Sequence, residues 1–154
     1  MPLKNQNKSA IIHYIKKYKL AVFIRENSLC GHNGFIAFPD DKGKSFKGLR
    51  ELPIKGMHRP FAGFLSDRRI LLSYREHLSS DLPYRDLKMC IFEEDDLFKL
   101  DRITPEKYLI DSNGSPFADQ GYSAWFRFRI TDCLWQIILL TMHRKRIYAE
   151  ILLI

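Results

Sequence analysis

The apolar run Leu20-Ala21-Val22-Phe23-Ile24 is the strongest structural signal in the sequence. It combines β-branched and aromatic residues, which favour strands, and five residues are too few for an ordinary helix. The polar residues Arg25-Glu26-Asn27 end the run. A continuous apolar segment of this length predicts a strand buried on both faces, and therefore a sheet around it.

Further strand signals lie on both sides of this run. Strands are predicted at 35–38, 70–74, 87–92 and 147–154, and residues 124–131 alternate between apolar and polar with a period of two. The turn residues of 27–34 connect the first two strands, and 111–116 is a loop. Gly48, Pro53, Gly56 and Pro60 predict an irregular segment over 46–60.

Two segments carry helix signals. Ser9 can cap a helix whose apolar stripe is Ile11, Ile12, Ile15 and Tyr18, which predicts a helix over 9–19. Thr104-Pro105-Glu106 has the hydroxyl, proline and acid of a helix start. Periodicity leaves 134–142 open between strand and helix.

The predicted fold class is therefore α+β: a mostly antiparallel sheet with two or three helices. The chain of 154 residues is long enough for one compact domain spanning 1–154, with 1–8 as a loose lead-in. Apolar residues are 45% of the chain and aromatic residues 13%, which excludes wholesale disorder.

The net charge of +7 is unevenly distributed along the chain. Residues 1–59 hold 12 Lys and Arg against 4 Asp and Glu, residues 60–122 hold 8 against 12, and residues 123–154 hold 5 against 2. Basic segments attract polyanions or an acidic protein surface at long range. They serve equally well as a solubilising surface.

The compartment predicted from the sequence is the cytoplasm. The three cysteines, Cys30, Cys90 and Cys133, cannot form a complete disulfide framework, which fits a reducing environment. No apolar run reaches the roughly 18 residues of a membrane span, and the first residues lack the apolar core of a signal peptide.

Sites for a metal or a cofactor are not predicted. Glu93-Glu94-Asp95-Asp96 is the densest acidic cluster, but neighbours in a strand point to opposite faces, so a solvated strand end or turn is favoured. Cys30-Gly31-His32 lacks the paired spacing of zinc ligands, and Cys90 and Cys133 are expected in the core. No glycine-rich phosphate loop is present.

A metal-independent ribonuclease would use histidines as acid and base, with cations on the phosphate. His13, His32, His58, His77 and His143 are available, and His58-Arg59 and His143-Arg144-Lys145-Arg146 place imidazoles beside cations. The sequence alone does not pair any two of them.

The most suggestive surface is the segment Trp125-Phe126-Arg127-Phe128-Arg129. As a strand, it places Trp125, Arg127 and Arg129 on one face, a combination that anchors protein interfaces and also stacks on nucleic-acid bases. Arg144, Arg146, Lys16 and Lys17 are the other predicted binding residues.

The favoured function is a small basic binding protein of the immunity, inhibitor or accessory type, without its own catalytic site, that acts on an acidic protein partner. A nucleic-acid-binding module and a small ribonuclease using His and Arg residues are the alternatives.

Overall fold

A computed structural model describes residues 10–15, 19–39, 48–79, 81, 85–102, 104–113, 124–129, 135–143 and 146–153. Its strands are β1 (Ala10–Ile15), β2 (Lys19–Ile24), β3 (Asn33–Ala37), β4 (Arg50–Lys55), β5 (Met57–Phe64), β6 (Ile70–Glu76), β7 (Arg85–Phe92), β8 (Glu106–Asn113), β9 (Ala124–Arg129), β10 (Trp135–His143) and β11 (Arg146–Leu153). Two single-turn 3-10 helices, Asp96–Phe98 and Leu100–Arg102, follow β7.

Every strand pairing in the described residues is antiparallel, and the strands form three sheets. The first has the order β1-β2-β3-β4, the second β5-β6-β7-β8, and the third β11-β10-β9. The first two sheets therefore place consecutive strands side by side, as simple meanders do. The predicted strands at 20–24, 35–38, 70–74, 87–92, 124–131 and 147–154 correspond to β2, β3, β6, β7, β9 and β11.

The α+β prediction is wrong. The described part of the chain contains strands and two short 3-10 turns, and neither predicted α-helix forms there. The predicted antiparallel sheet is confirmed, but it accounts for nearly all of the regular structure.

The segment predicted as a helix over 9–19 contains β1, which pairs along its whole length with β2. Ile11 faces Phe23 and Ile12 faces Val22 in this ladder. Three of the six residues of β1 are isoleucines, whose branched Cβ favours a strand. Helical spacing over such a short segment cannot compete with pairing to the apolar β2.

The signals at Thr104-Pro105-Glu106 mark the start of β8 rather than of a helix. A proline directly before the first paired residue removes no ladder hydrogen bond, so a sheet tolerates it. Tyr108, Leu109 and Ile110 are strand formers. The ambiguous segment 134–142 is a strand, because β10 is the central strand of the third sheet.

The segment predicted as irregular, 46–60, contains β4 and the start of β5. Both prolines occupy positions where a sheet can do without a backbone donor. Pro53 lies in β4, at the edge of the first sheet. Pro60 lies where the register between β5 and β6 shifts, between His58 and Phe61.

The main hydrophobic core lies between the first and second sheets. Its buried members from the first sheet are Ala21, Phe23, Ile36, Leu52 and Ile54, and those from the second sheet are Met57, Ala62, Ile70, Leu72, Tyr74, Cys90 and Phe92. Leu97 and Leu100, from the two 3-10 turns, complete it. The expectation that Cys90 belongs to the core is confirmed.

A second, smaller cluster covers the opposite face of the second sheet. Leu71 and Met89 are buried in it, whereas their neighbours Leu72 and Cys90 face the main core, as the alternation of a strand requires. Tyr108 and Ile110 extend this cluster onto β8. That strand forms the edge of the second sheet, and its Leu109 is 59% exposed.

The chain passes from the first sheet to the second through one residue, Gly56, between β4 and β5. Its φ of +58° lies in the left-handed region that favours glycine. A Cβ placed on Gly56 would lie 2.3 Å from the carbonyl oxygen of His77. The two backbones therefore meet at a distance that only glycine permits.

We predict that Gly56→Ala destabilises the protein far more than Gly48→Ala. Gly48 has the same left-handed conformation, with φ of +73°, but open space around its Cβ position. Gly48→Ala should cost only the strain of the conformation, about 1 kcal/mol. Gly56→Ala adds the backbone collision and should cost at least about 2 kcal/mol more. Denaturant unfolding of both variants measures the difference, and equal losses would contradict the close approach.

Candidate functional site

The predicted binding residues Trp125, Arg127 and Arg129 lie in β9, opposite Leu139, Ile137 and Trp135 of β10. They stand at alternate positions of this strand, and each pairs with a residue of β10. Their role in binding stays a prediction.

Arg146 lies at the opposite end of the third sheet from Arg129. It pairs with His143, the last residue of β10, whereas Arg129 pairs with Trp135, the first. The nine residues of β10 span about 27 Å. The third sheet thus separates these two arginines by nearly its full length. Lys16, Lys17 and Arg144 lie outside the described residues.

A cavity lies instead beside the first sheet. It has a volume of about 650 Å³ and is bounded by the end of β2, the loop 25–32 and residues of β3 and β4. Glu26, Cys30 and His32 line it from the loop, and Glu51 and Lys55 line it from β4. A volume of this size suits a small molecule or a few side chains of a partner.

The loop 25–32 is stiffened by its own short polar side chains. The Ser28 N–H donates a hydrogen bond to Oε1 of Glu26. The Cys30 N–H donates to the Ser28 hydroxyl at 3.2 Å. Side chains that bond to the backbone two residues away stabilise turns of this kind. The wall of the cavity is therefore a preformed turn.

A buried pair of histidines lies behind this wall. The ring centroids of His58 and His77 are 5.2 Å apart, and Nε2 of His58 is 3.6 Å from Oε2 of Glu26. All three side chains are 2–3% exposed. The sequence could not pair two histidines, and the structure pairs these two with Glu26.

Arginines surround the pair. Arg75 lies directly across the ladder from His58 and is buried, and the charge of Arg85 acts on His77. Buried positive charge next to an imidazole disfavours the protonated ring. The charge of Glu26 favours protonation of both histidines.

Burial is the largest cause that lowers the pKa of His58, to about 4, and the charges of His77 and Arg75 add to it against the pull of Glu26. The pKa of His77 is lowered by burial and by Arg85 and Arg75. The Ser79 backbone opposes this lowering of the His77 pKa. Both rings are therefore neutral at pH 7.

The same environment keeps Glu26 ionised. Burial raises the pKa of its carboxyl, but the Ser28 hydrogen bonds and the neighbouring His58 outweigh burial, so that the pKa is lowered. A buried carboxylate held by backbone donors is a stable anion at neutral pH.

Exposed leucines collect around the same loop. Among the described residues, four large apolar side chains are exposed: Leu29, Leu49, Leu78 and Leu109. Leu29 lies in the loop, Leu49 lines the cavity, and the Leu78 backbone packs against Gly31 of the loop. We call Leu29, Leu49 and Leu78 the leucine rim.

Other candidate sites from the sequence are not assembled in the described residues. Glu93–Asp96 form the turn after β7, as predicted, and Arg68 pairs with Glu94 at 3.0 Å. Within the described ranges, no three His, Cys, Asp or Glu side chains are grouped to hold a metal ion. Cys30 is exposed, and Cys133 lies outside these ranges.

Sequence reasoning did not predict that Glu26 and His77 lie together beside His58. Glu26 follows the apolar β2, where a charged residue simply ends a strand, and His77 follows β6 in the same way. The one available signal was that a titratable residue comes shortly after each of two strands, Glu26 after β2 and His77 after β6. The register that joins them through His58 is not visible in a single sequence.

Comparison of the chain with protein-family models, with curated proteins and with solved structures gives no match. The described part of the chain has no helix with the length and apolar character needed to cross a membrane.

We predict that a thiol reagent labels Cys30 and spares Cys90 in the folded protein. Cys30 is exposed beside the cavity, whereas Cys90 is fully buried and its pKa is raised by burial to about 11. Thiolate, not thiol, reacts, so the raised pKa of Cys90 alone should slow its labelling at pH 8 by at least about 100-fold relative to a thiol of the usual pKa. Peptide mapping after timed labelling measures both rates, and equal rates would contradict the burial of Cys90.

Proposed function

We propose that this chain is a binding protein that acts through a protein partner, and that the leucine rim and the adjoining cavity receive that partner. The observation that carries the proposal is the position of three exposed leucines: Leu49 lines the cavity, Leu29 lies in the loop that borders it, and the Leu78 backbone lies against Gly31 of that loop. Isolated exposed apolar residues are ordinary, but a group beside a cavity is typical of an interaction surface.

Leu29 gives this surface a second distinguishing property. Its φ is 61°, a left-handed conformation that costs a residue with a Cβ about 1 kcal/mol or more. Its side chain is 38% exposed, so packing in the free protein does not offset this cost fully. Strained residues of this kind occur often at functional sites.

Contact with a partner would bury the leucine rim. Burying a leucine side chain stabilises a complex by about 1.5–3 kcal/mol, and interfaces concentrate their binding energy in a few such apolar anchors. The cavity behind Leu49 would accept a side chain of the partner. Glu51 and Lys55 at its border would supply polar contacts.

The net charge of +7 favours an acidic partner by accelerating association. The cavity itself is close to neutral, because Arg25 and Lys55 are balanced by Glu26 and Glu51. Charge would therefore guide the encounter, and the leucine rim would provide the close contact.

The ribonuclease alternative requires a histidine pair, and His58 and His77 form one, but a substrate could not reach these buried rings. His58 and His77 are 3% and 2% exposed, and a general acid or base must come within hydrogen-bond reach of its substrate. Their lowered pKa values also leave no protonated imidazole to act as the acid near pH 7. We therefore do not propose catalysis at this pair.

We predict that Leu49→Asp strongly weakens capture of the partner, while Leu109→Asp has no effect. The two leucines are 51% and 59% exposed, so both variants should fold, but Leu109 lies on β8 of the other sheet. The measurement is pull-down of the tagged full chain from its native host at pH 7.5, with and without nuclease. The affinity for the recovered protein should fall about 10- to 100-fold for Leu49→Asp only.

Each other outcome contradicts part of the proposal. Capture that nuclease destroys indicates nucleic acid instead of protein. Equal binding by both aspartate variants excludes the leucine rim as the contact, and loss in Trp125→Ala alone would assign the contact to β9. Failure to recover any partner contradicts the proposed function.

We also predict that Leu29→Asn weakens partner binding while making the free protein more stable. Asparagine adopts the left-handed conformation at a lower cost than leucine, so the free energy of unfolding should rise by up to about 1 kcal/mol. Denaturant unfolding and affinity for the recovered partner are measured on the same preparation. A variant that is less stable and binds normally would contradict both the strain and the role of Leu29.

A further inference from the structure

The loop that borders the cavity is attached to the two sheets at one place. The Glu26 N–H donates to the Met57 carbonyl at 3.0 Å, and the Gly56 N–H donates to the His32 carbonyl at 2.8 Å. These two bonds hold both ends of the loop against the crossing from β4 to β5. The His77 N–H donates to the Gly56 carbonyl at 2.9 Å and attaches the end of β6 to the same point.

The buried histidines lie at this attachment. His58 directly follows Met57, and its ring faces Glu26 of the loop on one side and His77 on the other. We call Glu26, His58 and His77, with the backbone of Gly56 and Met57, the histidine junction. Any change that forces the two rings apart acts directly on the bonds that hold the loop.

A proton on either ring would be poorly accommodated. The groups that face the pair are Arg75 from β6, Arg85 from β7 and Glu26 from the loop, whose neighbour Arg25 also has a buried side-chain nitrogen. A proton on His58 or His77 would add positive charge near Arg75 and Arg85, with Oε2 of Glu26 3.6 Å from Nε2 of His58, among side chains that are 2–3% exposed. Like charges in a buried site repel strongly.

We propose that the histidine junction is an acid-sensitive switch: protonation of His58 and His77 separates them, releases the loop 25–32, and dismantles the cavity. Acidification would thus release whatever the cavity holds. The consequence for a protein partner rests on the proposed function, but the release of the loop does not.

The direction follows from proton linkage. The rings have a lowered pKa in the closed form and an ordinary pKa of about 6.5 when the loop is released and they are hydrated. The released form therefore binds more protons below pH 6.5, and closure is lost as the pH falls from there towards 4. For His58 alone, a pKa of about 4 in the closed form makes opening about 30-fold more favourable at pH 5.0 than at pH 7.5.

Amide hydrogen exchange on the full chain, without a partner, tests this proposal. We expect the protection of the Glu26, Gly56 and His77 amides, corrected for the intrinsic pH dependence of exchange, to fall about 30-fold or more between pH 7.5 and 5.0. The Leu72 amide in the middle of β6 is the internal reference and should keep its protection. An equal loss at Leu72 means global unfolding and overturns a local switch, as does protection at the junction that does not change.

Variants identify the titrating groups. His58→Gln and His77→Gln each remove one titrating ring, so each should lose part of the pH response. In the double variant, the ratio of protection at the two pH values should approach that of the reference amide. His32→Gln is the matched control, because His32 is an exposed histidine of the same loop region. Its ratio should equal that of the unaltered chain. A full pH response in the double variant His58→Gln, His77→Gln would overturn the proposal.

The imidazole NMR signals of the unaltered chain provide a test that needs no variant. His58 and His77 should titrate below pH 6.5, and a midpoint at or above 6.5 for both overturns the proposal. Because no partner is used, failure here leaves the predicted binding at pH 7.5 intact, and failure to find a partner leaves the exchange result intact.

Discussion

The approach of Gly56 to the His77 carbonyl is the constraint on which the rest of this structure depends. The chain leaves the first sheet at Lys55 and enters the second at Met57, with only one residue between them. A Cβ at that residue would lie 2.3 Å from the His77 oxygen. The two sheets can therefore enclose a common core, with Ile54 before the crossing and Met57 after it both fully buried.

The same crossing explains why a polar cluster lies at the edge of an apolar core. Backbone hydrogen bonds of Gly56, Met57 and His77 close this crossing, and the adjacent side chains of Glu26, His58 and His77 are buried. Neutral imidazoles tolerate such a site far better than ionised ones. Burial therefore favours the unprotonated forms of His58 and His77, and the carboxylate of Glu26 lies beside His58.

Most strands could be predicted from the sequence because a buried strand is a local run of apolar residues. The run 20–24 and the segments 70–74 and 87–92 are apolar since their residues face the core. The helix over 9–19 was wrong for the opposite reason: the partner that makes β1 a strand is β2, and short-range spacing says nothing about pairing. Pro53 and Pro60 led to the wrong prediction of an irregular segment for the same reason. Whether a proline lies at a sheet edge or at a shift in register depends on the neighbouring strands.

The candidate site was less visible than the fold. Glu26, His58 and His77 are distant in sequence and meet only through the crossing at Gly56. Charge and aromatic content directed attention to β9 instead, which contains Trp125, Arg127 and Arg129. The exposure of Leu29, Leu49 and Leu78 could not be predicted locally, because the sequence does not show whether a leucine will lie in an exposed turn or in the core.

The edge strand β8 has a consequence for the behaviour of the protein in concentrated solution. Its outer backbone groups could template the addition of a strand from another molecule, and the exposed Leu109 would favour such stacking. Glu106, Lys107 and Asp111 are exposed along the same strand. In-register stacking of identical copies would bring like charges together at this edge, so we expect these three residues to oppose aggregation.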